Sequence, residues 1–239
     1  IPIRAEVTVK GDTMKIDLSE SAPQVTGFIN SAYANTRSIA HAAIMYLAPY
    51  DVAKNEGSMG PLTVVAPKGL IVNANPPAPV CMSTNHCAEE IIEAVFKALA
   101  NAVPKSVNAG FSRRLRYAIT GTDPRTGRYF IWHFFMARGG GGASSGNDGW
   151  TGIGEVNVAG GIRAPSFEVT EGRVPLFVVN HELRPGSAGD GQWRGGLGAV
   201  CEIIYEGGGE ASMNTAGDGV KVPPFGLFGG SPGLPHRYS

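Results

Sequence analysis

Charge is what this chain has least of. Asp, Glu, Lys and Arg make up 17 % of its 239 residues, against ~25 % in an ordinary domain. The balance is even, 20 acidic against 20 basic. A neutral chain without a basic run offers no electrostatic footprint for nucleic acid. Cysteine is scarce too: Cys81, Cys87 and Cys201 are an odd number with no CxxC. That excludes a disulfide framework and suits a reducing, cytoplasmic setting. The longest uncharged apolar segment, residues 38–50, is shorter than the ~18–20 residues of a membrane-spanning helix. No secretory leader opens the chain, and no methionine either. It starts directly in strand-like sequence, so its natural beginning is expected upstream.

Several motifs are missing as well. No Gly-Lys pair occurs, and without it a Walker loop has no lysine to reach a phosphate. Gly152 and Gly154 begin a GxGxxG pattern, but Asn157 holds the third position and no helix follows. There is no HExxH and no HxH among His41, His86, His133, His181 and His236.

Glycine, by contrast, is plentiful. There are 34, about twice the usual ~7 % share. A chain this poor in charge is expected to have partner chains covering much of its surface.

The pattern of elements reads as α+β, mostly antiparallel β-sheet with two principal helices and long Gly-rich loops. Residues 5–10 and 13–18 alternate apolar and polar around Gly11-Asp12, which predicts a hairpin. Residues 35–48 carry an apolar stripe at helical spacing, with Asn35 or Thr36 as the cap and Pro49 as the stop. Residues 61–72 read as two short strands around a Pro-Lys-Gly turn. The strongest helix runs over residues 83–103. Ile91, Ile92, Val95, Phe96 and Leu99 form its buried face, and Glu89, Glu90 and Glu93 suit its amino-terminal half.

From about residue 107 the chain turns β-rich. Strands at 113–121 and 128–137 flank Asp123-Pro124-Arg125-Thr126-Gly127, and two more are expected at 174–183 and 197–205. Residues 138–161 form a long loop with ten glycines, and the tail from Pro223 is all turn chemistry. A soft boundary near residues 104–110 divides the chain into an α+β segment, 1–106, and a β-rich segment, 107–239. Both are expected to be one continuous part of a larger subunit.

Candidate reactive groups are few. Gly142-Ala143-Ser144-Ser145-Gly146 fits GxSxG, but a nucleophile elbow needs a helix after the serine, and Asn-Asp-Gly-Trp cannot supply one. His86 and Glu89, at i and i+3, can face one site, but a metal would need further ligands from elsewhere. His41 and His133 read as structural, His133 as a packed strand residue. Arg113, Arg114 and Arg116 read as part of one strand face. Arg184, Asp190, Trp193 and Arg194 share a glycine-rich turn, where they either hold an anion or lock the turn through an Asp–Arg pair. The lock is the preferred reading.

Three stretches resemble the hydantoinase B/oxoprolinase family. They are DLSESAPQVTGFIN at 17–30, ELRPGSAGDGQWRGGLGAV at 182–200, and FGLFGGSPGLP in the tail. The resemblance implies the carboxy-terminal part of a B-type subunit in a hetero-oligomer. Its partners would be a hydantoinase A-type subunit and the upstream B-type segment. ATP and Mg would sit on the A-type partner, and a divalent metal on the upstream segment, with none on this chain. The implied activity is ATP-dependent opening of a cyclic amide. Acetone- and acetophenone-type ketone carboxylation is the alternative, and a non-catalytic structural chain is a further one. Where the family commonly has Asn-x-Glu-Thr-Ser, this chain has Asn85-His86-Cys87-Ala88-Glu89, which keeps carboxylation open. Asn85, His86, Arg184 and Arg194 are the candidate substrate-binding residues. The chain is expected to be inactive alone.

Overall fold

In the computed structural model, which describes residues 1–134, 138–158, 161 and 163–239, the opening alternation becomes a hairpin. Strands β1 (Glu6–Lys10) and β2 (Thr13–Asp17) pair antiparallel, with Val7 opposite Ile16. Two units follow from the contacts, Ile1–Asn108 and Ala109–Ser239.

In the first unit, helix α1 (Tyr33–Leu47) begins two residues before the expected start. Its cap position is Ala32, with no side-chain bond. Asn35 and Thr36 lie inside the helix instead. Thr36 is buried, and its hydroxyl donates to the Val72 carbonyl. A short helix, α2 (Glu56–Met59), carries a capping box between Asn55 and Ser58.

Strand β3 (Leu62–Val65) then adds parallel to β2, giving the order β1-β2-β3. The second strand expected in this region does not form. The Gly69 N–H donates to the Asn73 carbonyl and Asn73 Nδ2 to the Ala66 carbonyl at 2.7 Å, which closes a tight loop. Ile71 and Val72 are buried there without strand pairing beyond the isolated bridges of Leu70.

The helix expected at 83–103 is two helices, α3 (Ser83–His86) and α4 (Ala88–Leu99). The break falls at Cys87, whose buried thiol donates to the Ile29 carbonyl at 3.1 Å. The expected apolar face holds: Ile91, Ile92, Val95, Phe96 and Leu99 are all buried. Each such side chain contributes roughly 1.5–3 kcal/mol. The Phe96 ring meets Tyr46 of α1 edge-on at 6.3 Å.

In the second unit, β4 (Leu115–Asp123) and β5 (Arg128–Phe134) form the expected hairpin. Residues 135–137 of the expected strand lie outside the described residues. The Asp123 carboxylate ties the turn by accepting from the Arg125 backbone N–H and guanidinium. Helix α5 (Phe167–Arg173), capped by Ser166, leads into β6 (Leu176–Arg184), which pairs antiparallel with β7 (Gly198–Tyr205). Strand β8 (Ala211–Gly217) lies on the free edge of β4, in the order β5-β4-β8. Ile119, Val174 and Leu176 form the core between these two sheets, with Trp132, Ile203 and Tyr205 packed on it. The fold is thus α+β, and among the described strands only the β2–β3 pairing is parallel.

The glycines of the second unit let backbones touch. Ser112 donates to the Gly140 carbonyl, Gly141 to Trp150, Gly196 to Gly141, and Gly149 to Arg194. A Cβ on Gly140 would fall on the Gly196 carbonyl, and one on Gly196 would fall on that of Trp150. The tail joins this weave, with Ser231 donating to the Asp190 carbonyl and Leu234 to that of Ser187.

Candidate functional site

Asn30 organises the first candidate region. It has no solvent exposure. Its carbonyl oxygen accepts from the Val25 N–H at 2.8 Å, and its amide donates to the carbonyls of Val25, Gly27 and Pro79. Four bonds bend residues 25–30 into a fixed loop. Phe28 at its crest meets the His86 ring edge-on, 6.2 Å between centroids. Asn85 and His86 thus occupy the end of α3, beside a loop held by a buried amide.

The next residues carry more than the sequence pattern suggested. Glu89 is 1 % exposed and Glu93 is 3 % exposed. The sequence reading placed both in the amino-terminal half of the helix, where acidic residues suit the helix dipole. Glu89 stands three residues before Ile92 and Glu93 three before Phe96, which puts both carboxylates beside the apolar stripe. A histidine followed by two buried carboxylates at successive turns can position a polar ligand or carry a proton. Among the described residues, no group of three or more His, Cys, Asp or Glu side chains is placed to hold a metal ion.

The second unit contains Arg184 and Arg194. Arg184 Nη1 donates to the Pro235 carbonyl at 3.0 Å, and the Arg194 backbone N–H donates to Asp148. The expected Asp–Arg lock is not what fixes this turn. Asp190 instead donates its backbone N–H to the Ser231 hydroxyl at 2.8 Å, and its carbonyl accepts from that hydroxyl at 3.0 Å. Among the described residues, no ion pair joins Asp190 to either arginine.

A charged centre that the sequence pattern missed lies nearby in the same unit. Arg114, read as part of a strand face, is fully buried just before β4. Its Nε and Nη2 donate to the two oxygens of Glu155, each at 3.2 Å. Arg116 Nη2 reaches the same oxygens at 3.3 and 3.0 Å. The partner comes from 41 residues away, inside a loop without a period, so no local pattern announces it.

The remaining nucleophile candidates are structural. Ser144 pairs with Asn147 in a tight turn that no helix follows. Burial pushes the Cys201 thiol up to about 11, which keeps it protonated at neutral pH. His133, expected to be packed, is exposed, and Trp132 is the residue that packs inward. No helix among the described residues is long and apolar enough to cross a membrane.

Comparison with known proteins places this arrangement. The hydantoinase B/oxoprolinase family model matches residues 1–239. The chain is 32 % identical over 206 residues to the caprolactamase subunit beta of Pseudomonas jessenii, covering 85 % of this chain and 35 % of that protein. The crystal structure of the ATP-dependent caprolactamase from Pseudomonas jessenii superposes with a TM-score of 0.73 at 30 % identity, over 84 % of this chain and 35 % of that one. An acetone carboxylase in its nucleotide-free form superposes with a TM-score of 0.83 over 97 % of this chain and 31 % of that one. At 20 % identity, that likeness shows the fold alone. The chain spans about a third of the length of these relatives.

Proposed function

Because this chain belongs to the hydantoinase B/oxoprolinase family, we propose that it forms part of the B-type subunit of an ATP-dependent amidohydrolase that opens a cyclic amide. The observation that carries this reading is the 32 % identity to a caprolactamase subunit. Caprolactam, hydantoin and 5-oxoproline share one chemical feature, an amide closed into a ring. An amide carbonyl is a poor electrophile. Phosphorylation of its oxygen by an A-type partner makes the ring carbon open to water, and binding energy is then directed at that activated state.

The relative is named as a subunit, and this chain is proposed to work likewise in a hetero-oligomer in the cytoplasm. ATP with Mg is assigned to the A-type partner, and any divalent metal to the upstream B-type segment. In support, the chain has no Gly-Lys pair for a Walker loop, and its described residues include no group of three or more His, Cys, Asp or Glu side chains placed to hold a metal ion. His86, with Asn85 before it in α3, is proposed as a substrate-binding residue. Arg184 and Arg194 are proposed separately as substrate-binding residues, Arg184 through the turn that it ties to Pro235.

Ketone carboxylation is the second reading. It is favoured by Cys87-Ala88 standing where hydantoinases commonly have Glu-Thr, after His86 at the variable position. The assembled complex, given ATP with either a lactam or a ketone plus bicarbonate, separates the two. A His86→Ala complex is expected to assemble and lose turnover. Full activity in that variant would remove His86 from the site.

A further inference from the structure

His86 stands on α3, a helix of four residues, too short to hold itself in water. Bonds from other elements fix it instead. The Asn35 amide of α1 donates to the Ser83 carbonyl at 3.0 Å. The Met82 N–H, just before the helix, donates to the Phe28 carbonyl at 3.3 Å. The Cys87 thiol, just after it, donates to the Ile29 carbonyl at 3.1 Å. Both ends of α3 are thus tied to the loop that Asn30 holds.

Phe28 is the unusual residue on that loop. It is 46 % exposed, so it gains only part of the stabilisation that a buried phenylalanine gives. Its backbone is nevertheless bonded on every side. The Val25 and Gly27 carbonyls accept from the Asn30 amide, its own carbonyl accepts from Met82, and that of Ile29 accepts from Cys87. The core does not need this ring, yet the loop holds it in one place.

That place is beside the His86 imidazole. The two rings meet edge-on, with 6.2 Å between centroids and 63° between planes, the arrangement that aromatic pairs favour. The outer torsion of a histidine has only a broad preference of its own. Neighbours therefore decide which way its nitrogens face, and a fixed ring beside it narrows that choice.

We infer that Phe28 is a positioning residue for His86. Its ring sets the orientation of the imidazole before substrate arrives, so less freedom is lost on binding. The loop and α3 are bonded to each other so that the two rings keep their spacing. This inference rests on the assignment of His86 to the substrate, and it holds for a lactam or a ketone alike.

Proton NMR of the full chain tests the positioning directly, with His86→Gln identifying the His86 resonances. In Phe28→Ala the ring-current shift from Phe28 is expected to vanish, moving the imidazole resonances toward those of a free histidine. Unmoved resonances would overturn the inference. Should Phe28→Ala fail to fold, Phe28→Leu removes the ring and keeps the apolar bulk, with the same two outcomes. Turnover by the assembled complex tests the consequence, on caprolactam, or on acetone with bicarbonate if it is a carboxylase. In Phe28→Ala, kcat/KM is expected to fall roughly two- to tenfold, chiefly through KM, as the ordering of one side chain on binding implies. Phe28→Tyr, which keeps the ring, is expected to recover most of the loss. An unchanged KM in Phe28→Ala, or no recovery in Phe28→Tyr, would contradict the positioning role. Failure of the substrate assignment looks different: His86→Ala would keep full turnover while the imidazole resonances still moved in Phe28→Ala.

Discussion

Arg114 lies wholly buried and gives its Nε and Nη2 to the two oxygens of Glu155, each at 3.2 Å. This is the forked arrangement in which a guanidinium and a carboxylate satisfy each other's geometry. It joins the start of β4 to the glycine-rich loop.

Removing the carboxylate leaves a cation in the interior without its counter-charge. Glu155→Ala is expected to destabilise the chain by about 3–5 kcal/mol. Glu155→Gln, which keeps one acceptor oxygen, is expected to cost less. Urea unfolding checks both. A loss below ~1 kcal/mol in Glu155→Ala would show that the pair is solvated and dispensable.

The glycine weave makes a second expectation. Gly140→Ala places a methyl group on the Gly196 carbonyl, where only backbone movement can relieve it. A loss of roughly 3 kcal/mol or more is expected. Gly208→Ala is the control, because a Cβ there meets nothing within 4 Å. Its effect is expected within ~0.5 kcal/mol. Thermal unfolding of the two variants side by side measures the difference. Equal midpoints would mean that the glycines are not there for close approach.

Asn30 makes four buried bonds. Asn30→Ala strips partners from one N–H and three carbonyls, so a loss of at least ~2 kcal/mol is expected. Asn30→Asp tests the amide itself, since a carboxylate cannot donate to the carbonyls of Val25, Gly27 and Pro79. Denaturant midpoints near wild type in both variants would contradict the hub.

Burial, outweighing the charge of Asp218, holds the His236 imidazole below its ordinary value, and Arg113 acts in the same direction. Burial lowers His41 likewise. The unfolded chain therefore takes up protons that the folded chain refuses as the pH falls below ~6.5. Stability is expected to be fully present above that value and to decline between about pH 7 and pH 5. His236→Gln is expected to flatten part of the decline. Urea midpoints across that range decide it, and a wild-type midpoint that rises on acidification would reverse the sign.

Local chemistry made some of this legible in the sequence. Alternation gave away β1 and β2, apolar spacing the buried face of α4, and the Asp123–Gly127 turn the β4–β5 hairpin. Long-range choices left no such trace. β3 adds parallel to β2 from 45 residues or more downstream, and no turn signal marks that pairing. β8, Ala-Ser-Met-Asn-Thr-Ala-Gly, has no apolar alternation and is a strand because β4 offers an edge. α5 is seven residues long, too short to show a helical period. The candidate site divides in the same way. Asn85 and His86 could be singled out by motif and spacing. The burial of Glu89 and Arg114 is decided by what packs over them.

The most direct measurement is product formation by the complete complex. The B-type protein containing this chain is combined with its A-type partner, ATP and Mg, and offered a cyclic amide such as 5-oxoproline or caprolactam. The expected result is ring-opened amino acid formed in step with ATP hydrolysis, and nothing from this chain alone. Carboxylated ketone from acetone and bicarbonate, with every lactam left intact, would contradict the amidohydrolase reading.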